Sequence, residues 1–201
     1  YGCASGEKCI YAWDTRTWQK VKVAEGTQSN DIVILRDGTI FYTEPGTRLV
    51  WRLAAGTFAR EVGVKLAFGP NGIAASLDQK TLLVAEFSSN TIHGFSVGAD
   101  SKVNGTDHPA YFLSVPSDTV GRLDGMVVLA DGRLLSGTAL GTQIAPPVSS
   151  AAGSAPLIVI PSPQGRSRNN YVRISPDHAW IYTAYAVDVL RRRLRPDFDR
   201  P

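Results

Sequence analysis

The sequence has few of the features that mark specialised chemistries or membrane insertion. Only 2 of its 201 residues are cysteine, and its 3 histidines form no i, i+4 pair and have no cysteine nearby for zinc. No apolar run approaches the roughly 18 residues that a membrane-spanning helix needs. A G-x-S-x-G nucleophile elbow, a P-loop and a dinucleotide fingerprint are also absent. A soluble globular protein without these chemistries is therefore expected.

Charge of either sign is modest as well. The chain has 21 basic and 18 acidic residues, which gives a net charge of +3. Much of the excess lies in Arg191, Arg192, Arg193 and Arg195, which do not alternate with stacking aromatic residues. A solvated strand edge is therefore favoured over a nucleic-acid contact, and neither a nucleic-acid nor a membrane partner is expected.

One pattern occurs four times along the chain. A polar residue precedes a short apolar run, an aspartate follows seven positions after the polar residue, and a second apolar run comes next. The pairs are Asn30 with Asp37, Asn71 with Asp78, Asp124 with Asp131, and Asn170 with Asp177. The starting residues are 41, 53 and 46 positions apart. A period of roughly 40 to 50 residues with three or four short strands is typical of a β-propeller blade.

The predicted fold is therefore all-β, a single β-propeller domain over residues 1–201 with about four and a half blades. The predicted blades are 1–25, 30–65, 71–115, 124–160 and 169–195. The first blade reads as though its first strand were missing, which indicates either a fragment or a ring closed by a strand from the far end of the sequence. Tyr1 is not an initiator residue, so a preceding signal peptide and the compartment stay open. Between Pro146 and Gly165 the pattern is irregular, with one predicted strand at Leu157 to Ile160.

The two cysteines flank a predicted hairpin turn. Cys3 and Cys9 are symmetric about Gly6 and are predicted to face each other across the hairpin. A disulfide is geometrically possible there. Two buried free thiols are the favoured alternative, because direct cross-strand bridges are often strained.

The residue that opens each repeat is a candidate functional residue. The first strands of propeller blades line the central channel and run the same way, so Asn30, Asn71, Asp124 and Asn170 (or Asn169) are expected on one rim. Converging amide and carboxylate oxygens suit Ca²⁺ and, with water, Mg²⁺, Mn²⁺ or Zn²⁺. Taken singly, such residues are turn formers. Their common offset favours a ligand role for Asn71 and Asp124 and a structural one for Asn170.

Two further carboxylates lie one step outward from this rim. Glu44 and Glu86 each close the second strand of a predicted blade. Because acidic side chains are seldom buried, each is predicted to be a turn or surface carboxylate rather than a channel group.

Three segments resemble the gluconolactonase and senescence-marker-protein (regucalcin) family of lactonases. They are SNDIVILRDGTIFYTEP, GPNGIAASLDQKTLLVAEFSSNTIHGF and RLDGMVVLADGRLLSGTALGTQI. The resemblance covers roughly Tyr1 to Ile144 and implies a six-bladed propeller with one divalent metal ion, here lacking the first blade. By that resemblance Asn71 and Asp124 are metal ligands and Asn30 contacts substrate. The family's remaining ligand, a Glu of the first blade, has no counterpart in this sequence.

The resemblance implies a metal-dependent hydrolase that opens a sugar lactone or a similar cyclic ester. Ca²⁺ is the first expected cofactor, with Zn²⁺, Mg²⁺ or Mn²⁺ as alternatives. Asp124, the only carboxylate among the starting residues, is the candidate base or a ligand alone, and Asn30 is the candidate substrate-binding residue. Two alternatives stay open: a relative that resembles strictosidine synthase or paraoxonase, and a non-catalytic propeller that binds a ligand or partner. The sequence specifies neither the lactone nor the oligomeric state.

Overall fold

A computed structural model of the protein describes residues 1–115, 120–148, 158–163, 168–195 and 198. These residues form 18 β-strands and one 3₁₀ turn, Ser5–Glu7, and contain no α-helix. Within them, no helix is long and apolar enough to cross a membrane. The all-β class predicted from the sequence is confirmed.

The strands pair in chain order into five antiparallel sheets. The first sheet contains β1 (Gly2–Ala4), β2 (Cys9–Trp13) and β3 (Lys20–Glu25). The second contains β4 (Ile32–Ile34), β5 (Ile40–Glu44), β6 (Leu49–Leu53) and β7 (Arg60–Lys65). The third contains β8 (Pro70–Ala75), β9 (Thr81–Glu86), β10 (Thr91–Val97) and β11 (Val103–Phe112). The fourth contains β12 (Met126–Val128), β13 (Leu134–Thr138), β14 (Gly141–Ala145) and β15 (Ile158–Pro161). The fifth contains β16 (Tyr171–Ile174), β17 (Trp180–Tyr185) and β18 (Asp188–Arg193).

The five sheets are the blades of a β-propeller, as the sequence predicts. Strand β4 contacts β8, β8 contacts β12, and β12 contacts β16. These four strands each open their sheet, so they line the channel and run in the same direction. The arginine-rich stretch ends β18, which is an edge strand.

Apolar clusters fill the spaces between successive blades. Each interface buries side chains from both of its sheets, for example Ile10 with Ile40, Phe41 with Leu82, Ile92 with Met126, and Leu135 with Val172. A fully buried aliphatic or aromatic side chain contributes about 1.5–3 kcal/mol. The core is therefore a stack of neighbour interfaces, as in other repeat proteins.

The repeated aspartates close the turns between the first two strands of four blades. In each turn the backbone N–H two residues later donates to Oδ1 of the aspartate. These bonds are Thr39 to Asp37 (2.8 Å), Lys80 to Asp78 (3.0 Å), Arg133 to Asp131 (3.0 Å) and Ala179 to Asp177 (3.1 Å). Hydroxyl donors from Ser101, Ser76 and Ser175 help to hold the pKa of Asp37, Asp78 and Asp177 below the ordinary aspartate value. The aspartate of each repeat thus closes its own turn through a local side-chain contact.

The outer strand of the third blade differs from the prediction. The sequence predicts a strand at Tyr111 to Val115 after a polar loop, whereas β11 is Val103–Phe112 and includes most of that loop. Two register irregularities in its pairing with β10 absorb the polar segment. In the fourth blade β15 lies at the predicted place, although Leu157 is outside the described residues.

The sequence predicts that the two cysteines face each other, but in the structure they do not. Cys3 pairs with Ile10, and Ala4 pairs with Cys9, because the 3₁₀ turn and the left-handed Lys8 set the register. Adjacent residues of a strand point to opposite faces, so the two thiols lie on opposite faces of the hairpin. Both are free, as the favoured alternative predicts, but only Cys9 is buried, whereas Cys3 is partly exposed.

Candidate functional site

The predicted starting residues stand at equivalent places in four blades. Asn30 and Asp124 lie two residues before β4 and β12, Asn170 directly precedes β16, and Asn71 is the second residue of β8. Because the inner strands run the same way, these residues share one rim of the channel.

Asn71 and Asp124 come from neighbouring blades whose backbones touch. A β-carbon added at Gly72 would lie 2.1 Å from the backbone carbonyl oxygen of Asp124, so only glycine fits there. Asn71 is 8% exposed, and no donor in the described part of the chain reaches its Oδ1. Leaving such an acceptor unpaired costs about 1–3 kcal/mol. Oδ1 of Asn71 is therefore the rim atom that most needs a ligand.

The Asp124 carboxylate is half-buried and already oriented. Its Oδ1 accepts the Gly125 N–H at 3.0 Å, and its Oδ2 accepts the Asn170 side-chain amide at 3.1 Å. Burial raises the pKa of Asp124, against the lowering effects of the Asn170 hydrogen bond and the Arg168 charge. A carboxylate with a raised pKa is a stronger base than a free aspartate.

The other rim asparagines have different surroundings. Oδ1 of Asn170 accepts the Ala186 N–H at 2.9 Å, which turns the amide nitrogen toward Asp124. Asn169 is buried and donates to Oγ1 of Thr142 at 2.6 Å. Asn30 is exposed, and its backbone N–H donates to the Thr43 carbonyl. Asn30 is thus the rim residue that an incoming ligand can meet from solvent.

Sequence reasoning missed Asp31, which is only 4% exposed. Its Oδ1 accepts the Ile32 N–H at 2.8 Å, and its Oδ2 accepts the Ile73 N–H from the third blade at 3.0 Å. Burial raises its pKa, although the Arg173 charge and these N–H groups oppose the rise. Its negative charge also contributes to the raised pKa of Asp124. Its place directly after the predicted starting residue was the available signal.

The prediction of a surface carboxylate is wrong for Glu44, which is 7% exposed and lies inside the protein, although it does contact the turn that follows β5. It accepts hydrogen bonds from four donors. They are Thr27 Oγ1 (2.8 Å), Gln28 N (2.7 Å), Thr47 Oγ1 (2.8 Å) and Trp51 Nε1 (2.8 Å). Burial acts to raise the pKa of Glu44, but these bonds outweigh it and hold the pKa below the ordinary glutamate value. Glu44 therefore fixes the connection that leads into Asn30. Glu86 is half-buried beside His93, with 3.4 Å between Oε2 and Nε2.

The rim offers oxygen ligands of the kind that hard divalent cations prefer. Among the described residues, no three His, Cys, Asp or Glu side chains are grouped to hold a metal ion. A cation at the rim would instead use the unpartnered amide oxygen of Asn71 together with the Asp124 carboxylate. Their oxygen chemistry suits such a cation, and their roles as its ligands stay predictions.

Solved structures share this fold. A gluconolactonase from Xanthomonas campestris superposes with a TM-score of 0.76 and 22% identity, over 96% of this chain and 67% of that structure. Regucalcin, a calcium-binding protein from Agrobacterium tumefaciens strain C58, gives 0.64 and 15%, over 90% and 64%. Virginiamycin B lyase from Staphylococcus aureus gives 0.59 and 11%, over 96% and 66%. The resemblance to gluconolactonases and regucalcin is therefore confirmed at the level of fold.

This chain spans about two thirds of the length of each of these structures. Comparison with protein-family profiles and with curated proteins finds no match. Because the same fold serves a lactonase, a calcium-binding protein and a lyase, the fold alone does not specify the reaction.

Proposed function

We propose that this protein is a metal-dependent lactonase that hydrolyses a sugar lactone or a similar cyclic ester. The observation that supports this most is the buried, unpartnered Oδ1 of Asn71, whose neighbour Gly72 packs against the backbone of Asp124 in a propeller fold shared with a gluconolactonase. Asn71 and Asp124 would hold the divalent cation, with Ca²⁺ as the first candidate and Zn²⁺, Mg²⁺ or Mn²⁺ as alternatives. The other channel carboxylate on this side, Asp31, is held by backbone N–H groups.

The chain's own residues have distinct roles in this proposal. Exposed Asn30 orients the ring hydroxyls of the substrate. When bound, the cation supplies Lewis-acid polarisation of the lactone carbonyl, which is worth several kcal/mol of charge stabilisation. Asp124 takes the proton from the attacking water. Water adds to the carbonyl carbon, the ring C–O bond breaks, and Asp124 returns the proton to the ring oxygen, which leaves as the hydroxyl of a hydroxy acid.

The test is hydrolysis of glucono-δ-lactone, with and without EDTA, by the wild type and by Asp124→Ala. Turnover that EDTA removes and Ca²⁺ restores is expected for the wild type, and none for the variant. EDTA-insensitive turnover would contradict the metal-dependent reaction. No turnover of any lactone by folded protein would favour the alternative, a non-catalytic propeller.

Asp124→Asn separates the two roles of this residue, because it keeps an oxygen ligand and removes the base. If Asp124 is the base, kcat falls by about 10²–10⁴, while Ca²⁺ still binds in calorimetry. If kcat and Ca²⁺ affinity fall by the same factor, Asp124 acts as a metal ligand alone.

A further inference from the structure

The layer directly below the rim contains one bulky side chain. The residues six positions before the turn aspartates are Asp31, Gly72, Gly125 and Tyr171. Two of them have no side chain, and Asp31 is held against the backbone of its own and the next blade. Space at this level of the channel is therefore available to the ring of Tyr171.

The Tyr171 side chain reaches across the channel. A β-carbon at Gly125 would lie 1.9 Å from Cδ2 of Tyr171, so the ring packs directly against the backbone next to Asp124. At its far end, the hydroxyl lies 3.3 Å from Oδ1 of Asp31, which is 140 residues away in sequence. One side chain of the fifth blade thus contacts the fourth blade and the second.

Arg173 fixes this ring in place. Its guanidinium carbon lies 3.9 Å from the centre of the Tyr171 ring, and its Nη2 donates to the Tyr171 hydroxyl. The same guanidinium donates through Nη1 to the Met126 carbonyl at 2.5 Å and lies 4.0 Å from Oδ1 of Asp31. A cation stacked on a tyrosine and bonded at both ends leaves the ring little freedom to move.

A cavity of about 260 Å³ lies beyond this layer. Its lining extends along the inner strands, from Ile32 and Met126 to Ile34 and Val128, and includes Arg173. The rim residues stand at the starts of the same strands. Arg173 lines the cavity and stacks on the Tyr171 ring, which packs against the backbone next to Asp124, so this pair lies between the rim and the cavity.

We propose that Tyr171 is a specificity-determining residue that forms the floor of the substrate pocket and restricts it to compact, single-ring lactones without a long substituent. The inference rests on the proposed function. A substrate at Asn71 and Asp124 would meet the tyrosine ring directly beneath it. A long side chain on the lactone has no path to the cavity while Tyr171 is in place.

The test compares δ-valerolactone with δ-dodecalactone, which carries a long alkyl chain, on the wild type, Tyr171→Phe and Tyr171→Ala. The wild type and Tyr171→Phe, which retains the ring, are expected to prefer the short lactone. Tyr171→Ala is expected to raise the relative kcat/KM for the long lactone at least tenfold, mainly through KM. Tyr11→Ala, in the first blade, is the matched control and should leave the preference unchanged. An unchanged preference in folded Tyr171→Ala, with wild-type turnover intact, overturns the inference and leaves the lactonase proposal standing.

Binding of the corresponding lactams, which resist hydrolysis, gives a readout that does not need turnover. Calorimetry should show that Tyr171→Ala favours the long-chain lactam at least tenfold more than the wild type does. If the wild type hydrolyses no lactone but Tyr171→Ala shows this change in lactam preference, the proposed reaction is wrong and the role of Tyr171 as the pocket floor is supported. If no folded variant binds either lactam, the proposed role of Tyr171 is wrong as well. Tyr171→Leu, which packs on Gly125 but does not reach Asp31, replaces the alanine variant if that variant does not fold, with the same expected direction.

Discussion

Gly72 and the backbone carbonyl oxygen of Asp124 approach so closely that a β-carbon on Gly72 would lie 2.1 Å from that oxygen. Gly72→Ala must therefore push the third and fourth blades apart at the rim. We expect a loss of about 1–3 kcal/mol in the free energy of unfolding, as for other overpacked sites. Ca²⁺ affinity measured by calorimetry should fall at least about tenfold, since the shift moves Asp124 relative to Asn71.

Gly46→Ala is the control for this substitution, because no atom lies within 4 Å of a β-carbon at Gly46. Its stability and Ca²⁺ affinity should match those of the wild type. If Gly72→Ala behaves like Gly46→Ala, the rim does not depend on this contact.

Asp124→Ala should affect Ca²⁺ binding, whereas Asp37→Ala should affect stability. The first removes a proposed ligand and should abolish Ca²⁺ binding in calorimetry. The second removes the acceptor of the Thr39 N–H and the Ser101 hydroxyl, and should cost about 1 kcal/mol with Ca²⁺ affinity unchanged. Ca²⁺ binding by Asp124→Ala at wild-type affinity would exclude Asp124 as a ligand.

Glu44→Gln should destabilise the protein in a pH-dependent way. The folded-state pKa of Glu44 is lowered, so its carboxylate contributes stability above the unfolded-state pKa of about 4.3, and this contribution is lost as pH falls through the folded-state pKa. At pH 7 the substitution should cost about 2 kcal/mol, since it weakens bonds to a charged acceptor. Urea unfolding followed by tryptophan fluorescence should show the difference from wild type shrinking below about pH 4.

The matched control is Glu25→Gln, because Glu25 is exposed and forms a surface ion pair with Lys22. Such pairs contribute about 0–1 kcal/mol, so little change is expected at either pH. A pH-independent penalty for Glu44→Gln would mean that packing rather than charge explains the effect.

The two thiols should differ in reactivity. Cys9 is 2% exposed, whereas Cys3 is partly accessible, with a pKa raised chiefly by burial. Titration of native protein with Ellman's reagent should modify Cys3 slowly and leave Cys9 unmodified until guanidinium is added. Two thiols should react in the unfolded state. Fewer than two in unreduced, unfolded protein would indicate a disulfide.

Local contacts explain which parts of the fold the sequence predicts well. The turn aspartates bond to backbone two residues away, so the turns are recognisable directly in the sequence, and the strands on either side follow. By contrast, β11 forms from a polar segment because pairing with β10 overrides its local turn preferences.

The site is less accessible to sequence reasoning because its contacts are distant in the chain. The rim positions of Asn71 and Asp124 follow from the repeat, but Asp31 takes its partners from 42 and 140 residues away. The burial of Glu44 could not be predicted from the sequence, because its hydrogen-bond donors come together around the carboxylate only when the second blade folds. The metal-ligand roles of Asn71 and Asp124 and the substrate-binding role of Asn30 stay predictions.

The turn that an aspartate closes in four of the blades has an evolutionary consequence. Because Asp37, Asp78, Asp131 and Asp177 each close their own hairpin with backbone from the same blade, a duplicated repeat carries its folding instructions with it. What a copied repeat does not carry is a partner such as Tyr171, whose contacts belong to other blades. Changes in blade number in such proteins should therefore preserve the hairpins and reshape the channel.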